Sequence, residues 1–181
     1  MYVDTHTSGD SALTLDFRNV GGAVFHVYDK LNLERIPRRY TVEGGKPLTA
    51  ELAEYTPVAA SRYDLWIYGP NSFLREVRGT LSPRSASDPE VKLEYAPSDS
   101  AIRLILTNRS AQALLVTVRH NAYRDESQKT LQLAPQQRQV LTWSVIFSQN
   151  WCDLTVSTQT LELRFAGRME NGLPSFGDPV V

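Results

Sequence analysis

Cys152 is the only cysteine in 181 residues, so no intrachain disulfide can form. A catalytic thiol needs a neighbouring base and partial exposure; Cys152 falls on the apolar face of an alternating stretch and reads as a small buried hydrophobe. The three histidines, His6, His26 and His120, are widely separated, and none has a partner at metal-ligand spacing, so no metal site and no cofactor are expected. The chain has no G-x-S-x-G elbow and no acidic loop of the EF-hand kind. Gly44-Gly45-Lys46-Pro47 falls short of a phosphate loop, with Tyr40 in place of the first Gly and Pro47 in place of Ser or Thr, and reads as a hairpin turn. No run of about 18 apolar residues exists for a membrane-crossing helix. Residues Met1 to His6 carry neither a basic n-region nor an apolar h-region, which leaves either a cytoplasmic protein or an excised fragment. A formal net charge of −1 removes the electrostatic case for nucleic acid. Helical periodicity is missing too: no window sustains a period of about 3.6 residues.

What the chain has in plenty is two-residue alternation, within a hydrophobic content of 41% that is ample for a packed core. The clearest case is Arg62 to Gly79. Tyr63, Leu65 and Ile67 alternate with Asp64, Trp66 and Tyr68; Gly69-Pro70-Asn71-Ser72 turns the chain; Phe73, Arg75 and Val77 alternate with Leu74, Glu76 and Arg78 on the return. The pattern recurs in weaker form at Trp151 to Gly167. Asp64-Leu65 becomes Asp153-Leu154, an offset of 89, and Gly79 becomes Gly167, an offset of 88. Further matches follow at the same spacing, including Asn19 with Asn108 and Pro47 with Pro135.

Short alternating strands with frequent turn signals predict an all-β chain of two tandem immunoglobulin-like antiparallel β-sandwich units. The first occupies residues 10–81 and the second 90–171, joined by the Pro- and Ser-rich linker 82–89 and followed by an irregular tail, 172–181. Residues 1–9 read as a frayed or docking segment, and Ala53 to Ser61 as a loop.

The repeat separates scaffold from display. Leu65 with Leu154, Ile67 with Val156, Phe73 with Leu161 and Val77 with Phe165 stay apolar and are read as core. Trp66 becomes Thr155 and Tyr68 becomes Ser157, so the first copy presents rings outward where the second presents hydroxyls. Trp66, Tyr68, Phe73 and Arg75 are the candidate lipid or choline contacts, since rings suit a headgroup interface and can cage a cation. The bland alternative is that Trp66 packs under the 53–61 loop or against the other unit. Asp64 and Asp153 are expected to satisfy the same backbone or arginine in each copy. Asn108-Arg109-Ser110 is formally a glycosylation sequon and reads as a turn. No catalytic constellation is present.

The stretch Tyr63 to Asn71, with Phe73 and Arg75 to Gly79, resembles the C-terminal repeat of bacterial phosphocholine-preferring phospholipases C, as do Ala23 to Tyr28, Arg39 to Val42 and Gly45 to Leu48. In the second copy Leu106 to Arg109, His120 to Tyr123 and Phe165 to Arg168 are similar to that family's second repeat, while Cys152 stands where the family usually has an aromatic. The resemblance implies a non-catalytic C-terminal accessory module of a secreted or periplasmic enzyme. It implies an N-terminal catalytic phospholipase C domain as partner, which hydrolyses phosphatidylcholine or sphingomyelin, and contact with a phospholipid surface. The alternatives are a purely structural module for folding or export, and a carbohydrate-binding sandwich.

Overall fold

In the computed structural model, residues 1–7, 12–52, 55, 62–81, 88–126, 128–172 and 177–178 are described. The expected 53–61 loop, the 82–89 linker and the 172–181 tail fall largely outside them. The chain divides into two compact units, Met1–Ser85 with Gln159–Leu163, and Ala86–Thr158 with Arg164–Val181.

Unit 1 contains β1 (Tyr2–Thr7), β2 (Leu13–Arg18), β3 (Ala23–Asp29), β4 (Arg38–Val42), β5 (Leu48–Leu52), β6 (Arg62–Tyr68) and β7 (Leu74–Thr80). They form an antiparallel sheet in the order β1-β2-β5 and a second in the order β4-β3-β6-β7. Polar β1 is not frayed. It docks on β2 from Tyr2↔Arg18 to Thr7↔Leu13, a strand specified by backbone hydrogen bonding and not by apolar alternation. The two sheets meet through Phe17 of β2, whose ring lies 5.1 Å from Phe25 of β3 and 5.0 Å from Tyr40 of β4. Leu13, Leu15, Phe25, Val27, Leu65 and Ile67 complete a buried interior, as the alternation of each strand requires.

Unit 2 contains β8 (Glu90–Ala96), β9 (Ala101–Thr107), β10 (Leu114–Ala122), β11 (Lys129–Leu133), β12 (Arg138–Ser144), β13 (Trp151–Ser157) and, from Arg164 on, β14 (Leu161–Arg168). Its sheets run β12-β9-β8 and β11-β10-β13-β14, the strand order of unit 1 repeated. The all-β, two-unit sandwich architecture is therefore present. β8 alternates in sequence, Val91, Leu93 and Tyr95 against Glu90, Lys92 and Glu94, yet only Leu93 and Ala96 of it are buried.

Of the residues kept apolar in both copies, Leu65, Leu154, Ile67, Val156, Phe73, Val77 and Phe165 are buried, whereas Leu161, at the start of β14, is only half-buried. Cys152 is buried, with its thiol 3.5 Å from the carbonyl of Gly167. Gly45 has φ +73°, which suits the turn between β4 and β5.

Candidate functional site

The hairpin β6–β7 sets the outer face of unit 1. Its register pairs Leu65 with Val77, Trp66 with Glu76 and Ile67 with Arg75, so Arg75 shares the inner face with Ile67 and Val77. Arg75 is 2% exposed and Phe73 3%. The Arg75 guanidinium lies 4.3 Å from the Phe73 ring centroid, and its Nη1 donates to the Leu74 carbonyl at 2.8 Å. Neither residue belongs to a surface contact group, and the expectation for both is corrected. Phe73 closes the core edge-on to Phe25 at 5.6 Å, and Arg75 is an inward cation held by a ring and a carbonyl.

Trp66 and Tyr68 project from the opposite face. Tyr68 is 42% exposed and Trp66 is half-buried. Tyr28 of β3 stands directly across from Trp66, and its ring packs edge-on to Tyr68 at 5.7 Å; Trp66 packs edge-on to Tyr68 at 6.4 Å. The result is a three-ring cluster, Tyr28, Trp66 and Tyr68, on the outer surface of two adjacent strands. Lys30 bounds it. Its Nζ sits 4.5 Å from the Trp66 ring centroid, 3.4 Å from Asp64 Oδ1 and 3.7 Å from Glu76 Oε2. One side of the indole is thus already occupied by a cation of this chain. Tyr28 is brought opposite Trp66 by the pairing of β3 with β6, strands that β4 and β5 separate in the chain, so local alternation does not reveal it; Lys30, beyond the strand end, leaves no pattern either.

The equivalent face of unit 2 differs more than the sequence suggests. Arg119 pairs with Thr155 where Tyr28 pairs with Trp66. Thr155 does not display its hydroxyl to solvent: it is buried, as is Asp153. A bulge between His120 and Ala122 swings Asn121 across the strand, and its Nδ2 donates to Asp153 Oδ1 at 2.7 Å and to Thr155 Oγ1 at 2.9 Å. Arg164 closes on Asp153 with two hydrogen bonds, 2.9 and 2.6 Å. Asp64 and Asp153 therefore do not share a kind of partner: a lysine serves the first, an arginine and an amide the second.

Between the sheets of unit 2 lies a cleft of about 150 Å³ lined by Val118, His120, Glu126, Lys129, Leu141 and Trp143, among others. His120 packs edge-on to Trp143 at 4.8 Å, its side chain is 6% exposed, and its Nε2 is buried without a hydrogen-bond partner. Burial holds the imidazole below its usual pKa of 6.5, against the opposing pull of Glu126. Glu126 Oε2 accepts from Trp143 Nε1 at 3.2 Å, and hydrogen bonds from Arg124 hold its carboxyl below the usual range. The cleft holds one imidazole whose charged form is disfavoured by burial, with the Lys129 and Thr142 side chains in the same lining. The sequence signal for it was weak, a lone His at the end of an alternating strand.

The sequon Asn108 is fully buried. Its Nδ2 reaches the carbonyls of Gln112, Leu133 and Ala134 at 2.7 to 3.1 Å, and its Oδ1 accepts from the Ser110 N–H at 2.8 Å. It is the turn residue the sequence suggested. Among the described residues, no group of three or more His, Cys, Asp or Glu is placed to hold a metal ion.

Comparison with known proteins agrees with the duplication. The family model for the bacterial phospholipase C C-terminal domain matches twice, at residues 2–80 and 89–168. A non-hemolytic phospholipase C of Pseudomonas aeruginosa is 40% identical over 96% of the chain, and one of Burkholderia pseudomallei is 38% identical over 92%. A hemolytic phospholipase C of Pseudomonas aeruginosa is 33% identical over 80%. The chain spans only 26%, 24% and 22% of these three relatives, about a quarter of their length. Two matches to one model, across two units of the same strand order, place the chain: it belongs to the bacterial phospholipase C C-terminal domain family.

Proposed function

We propose that this chain is a non-catalytic C-terminal accessory module of a phospholipase C, and that it helps the enzyme engage a lipid surface or its substrate. The observation that carries this reading is the outward ring cluster Tyr28–Trp66–Tyr68 of unit 1, where unit 2 has Arg119, Thr155 and Ser157. Amphipathic rings are at home at the headgroup level of a bilayer. The catalytic residues belong to the part of the parent that precedes this module, and hydrolysis of phosphatidylcholine or sphingomyelin is that part's activity. A secreted or periplasmic parent fits this role. The test is co-sedimentation of the chain with phosphatidylcholine vesicles, with Trp66 emission followed in a Trp143→Phe/Trp151→Phe background. The expected result is co-sedimentation with a blue shift; neither signal at any lipid concentration rejects the reading.

A second reading, a module that packs on the catalytic portion and supports folding or export, draws on Lys30. Its ammonium already satisfies one side of Trp66, which weakens the case for a choline cage. Removing residues 10–171 from the parent then lowers the exported yield more than the specific activity.

A further inference from the structure

Unit 1 places Leu31, Leu33 and Ile36 in solvent on a single connection, residues 30–37 between β3 and β4, with Ile36 89% exposed. The connection is folded tightly around Asp29. That buried carboxylate accepts from the Leu31 N–H at 3.0 Å and from Asn32 Nδ2 at 2.7 Å, and Arg35 Nη1 lies 3.6 Å from it. Main-chain bonds from Asn32 to Asp29, from Arg35 to Asn32 and from Lys30 to the Asp64 carbonyl add to the lock. The aliphatic side chains are therefore held outward by a polar hub.

Unit 2 repeats the device on a different connection. Between β12 and β13, Ile146 is exposed and Phe147 is 98% exposed. Here the lock is Ser148, whose hydroxyl reaches the carbonyls of Val145 at 3.0 Å and Trp151 at 2.7 Å, with the Asn150 N–H bonded to the Val145 carbonyl at 2.8 Å. Topology puts both connections at the same end of their respective sandwiches, the end at which β6 or its counterpart β13 begins. Cations accompany the first. Residues 30–39 hold Lys30, Arg35, Arg38 and Arg39 against Glu34 alone. In unit 2 the nearby guanidiniums are engaged within the protein: Arg124 bonds the Ser144 carbonyl at 2.9 Å and pairs with Glu126, and Arg168, its side chain 5% exposed, bonds the Gln149 carbonyl at 3.3 Å and pairs with Glu170.

We infer that these two connections are lipid-docking loops, with their aliphatic and aromatic tips entering the headgroup–acyl boundary of a phospholipid surface while Arg35, Arg38 and Arg39 of the first lie among its phosphates. A side chain that stands almost wholly clear of its own protein is poorly matched to a flat partner; a fluid interface closes around it on all sides. The flanking cations complement the phosphates and add a salt-sensitive attraction where the surface is anionic. This inference rests on the lipid-surface reading above and names the elements that make the contact.

The test uses the whole chain with two kinds of vesicle, phosphatidylcholine alone and phosphatidylcholine mixed with an equal amount of phosphatidylglycerol. Co-sedimentation is measured for wild type, Leu33→Ser/Ile36→Ser, Phe147→Ser and, as control, Leu115→Ser, an exposed residue on β10 away from both loops. Wild type is expected to bind both vesicles, more strongly the anionic one at low salt. Each loop variant lowers the partition coefficient by about tenfold or more, as loss of buried apolar side chains requires, while Leu115→Ser leaves it unchanged. All four share one thermal melting profile, because the substituted side chains are exposed. Loop variants that sediment like wild type overturn the loop assignment and leave lipid engagement standing. Wild type that binds neither vesicle overturns both.

Discussion

The ammonium of Lys30 lies 4.5 Å from the ring centroid of Trp66, the residue that most distinguishes unit 1 from unit 2. The same nitrogen bridges Asp64 and Glu76, two carboxylates that the β6–β7 register sets on one face beside the indole. Ring and carboxylates are thus joined through a single cation, and the outer face of unit 1 is an ordered polar–aromatic surface.

Lys30→Ala removes the cation from the ring and leaves Asp64 and Glu76 facing each other unscreened. The expected cost is about 1–2 kcal/mol, the sum of a partly desolvated cation–π contact and weak surface ion pairs. Lys30→Arg retains most of it. Urea unfolding read by far-UV circular dichroism checks the order; equal midpoints for wild type and Lys30→Ala would show that the bridge contributes nothing.

Gly79 is required by a close approach. A Cβ there would stand 2.7 Å from Cζ of Tyr63, its partner across the β6–β7 ladder. Gly79→Ala therefore destabilises by about 1–3 kcal/mol, the usual cost of overpacking. Gly22→Ala, with open space around it, stays within about 0.5 kcal/mol. Thermal midpoints of the two variants check the difference.

Asn108→Ala withdraws a buried amide that serves three carbonyls and one N–H. Leaving those groups dry costs about 3 kcal/mol. The measurement is the change in denaturant midpoint, with Arg109→Ala, an exposed neighbour, as the control that moves little.

His120 gives unit 2 a pH-dependent stability. Its folded pKa is depressed below 6.5 by burial, with Glu126, Arg124 and Asp153 as the charges around it. Above pH 6.5 the imidazole is neutral in both states and its contribution is fully present. As pH falls from 6.5 through the folded value, the unfolded chain takes up the proton first and stability drops. His120→Gln flattens that part of the profile. The loss tied to Glu126 has its own window below 4.5, where the carboxyl that Arg124 holds low is finally protonated. Midpoints followed across both windows separate the two; an unchanged slope around pH 6.5 in His120→Gln assigns that slope to another group.

Alternation by itself determined the β class, the duplication at an offset of 88 to 89 residues, and the inner faces of the strongest strands, from Leu65 and Ile67 to Leu154 and Val156. It could do so because strand side chains have a strict two-residue period and burial selects one phase of it. Arg75 shows the limit: its phase was inward all along, but a charge in an apolar phase is ambiguous until Phe73 and the Leu74 carbonyl are seen to receive it. Tertiary structure alone decided which outward positions stay in water. Thr155 is covered because a bulge in another strand turns Asn121 over it, Trp66 is half-covered because Lys30 folds back from beyond a strand end, and Leu31, Leu33 and Ile36 stay bare because Asp29 pins their loop. Each outcome depends on a residue remote in register or outside any repeating pattern, and local periodicity carries no information about what lies across the sheet.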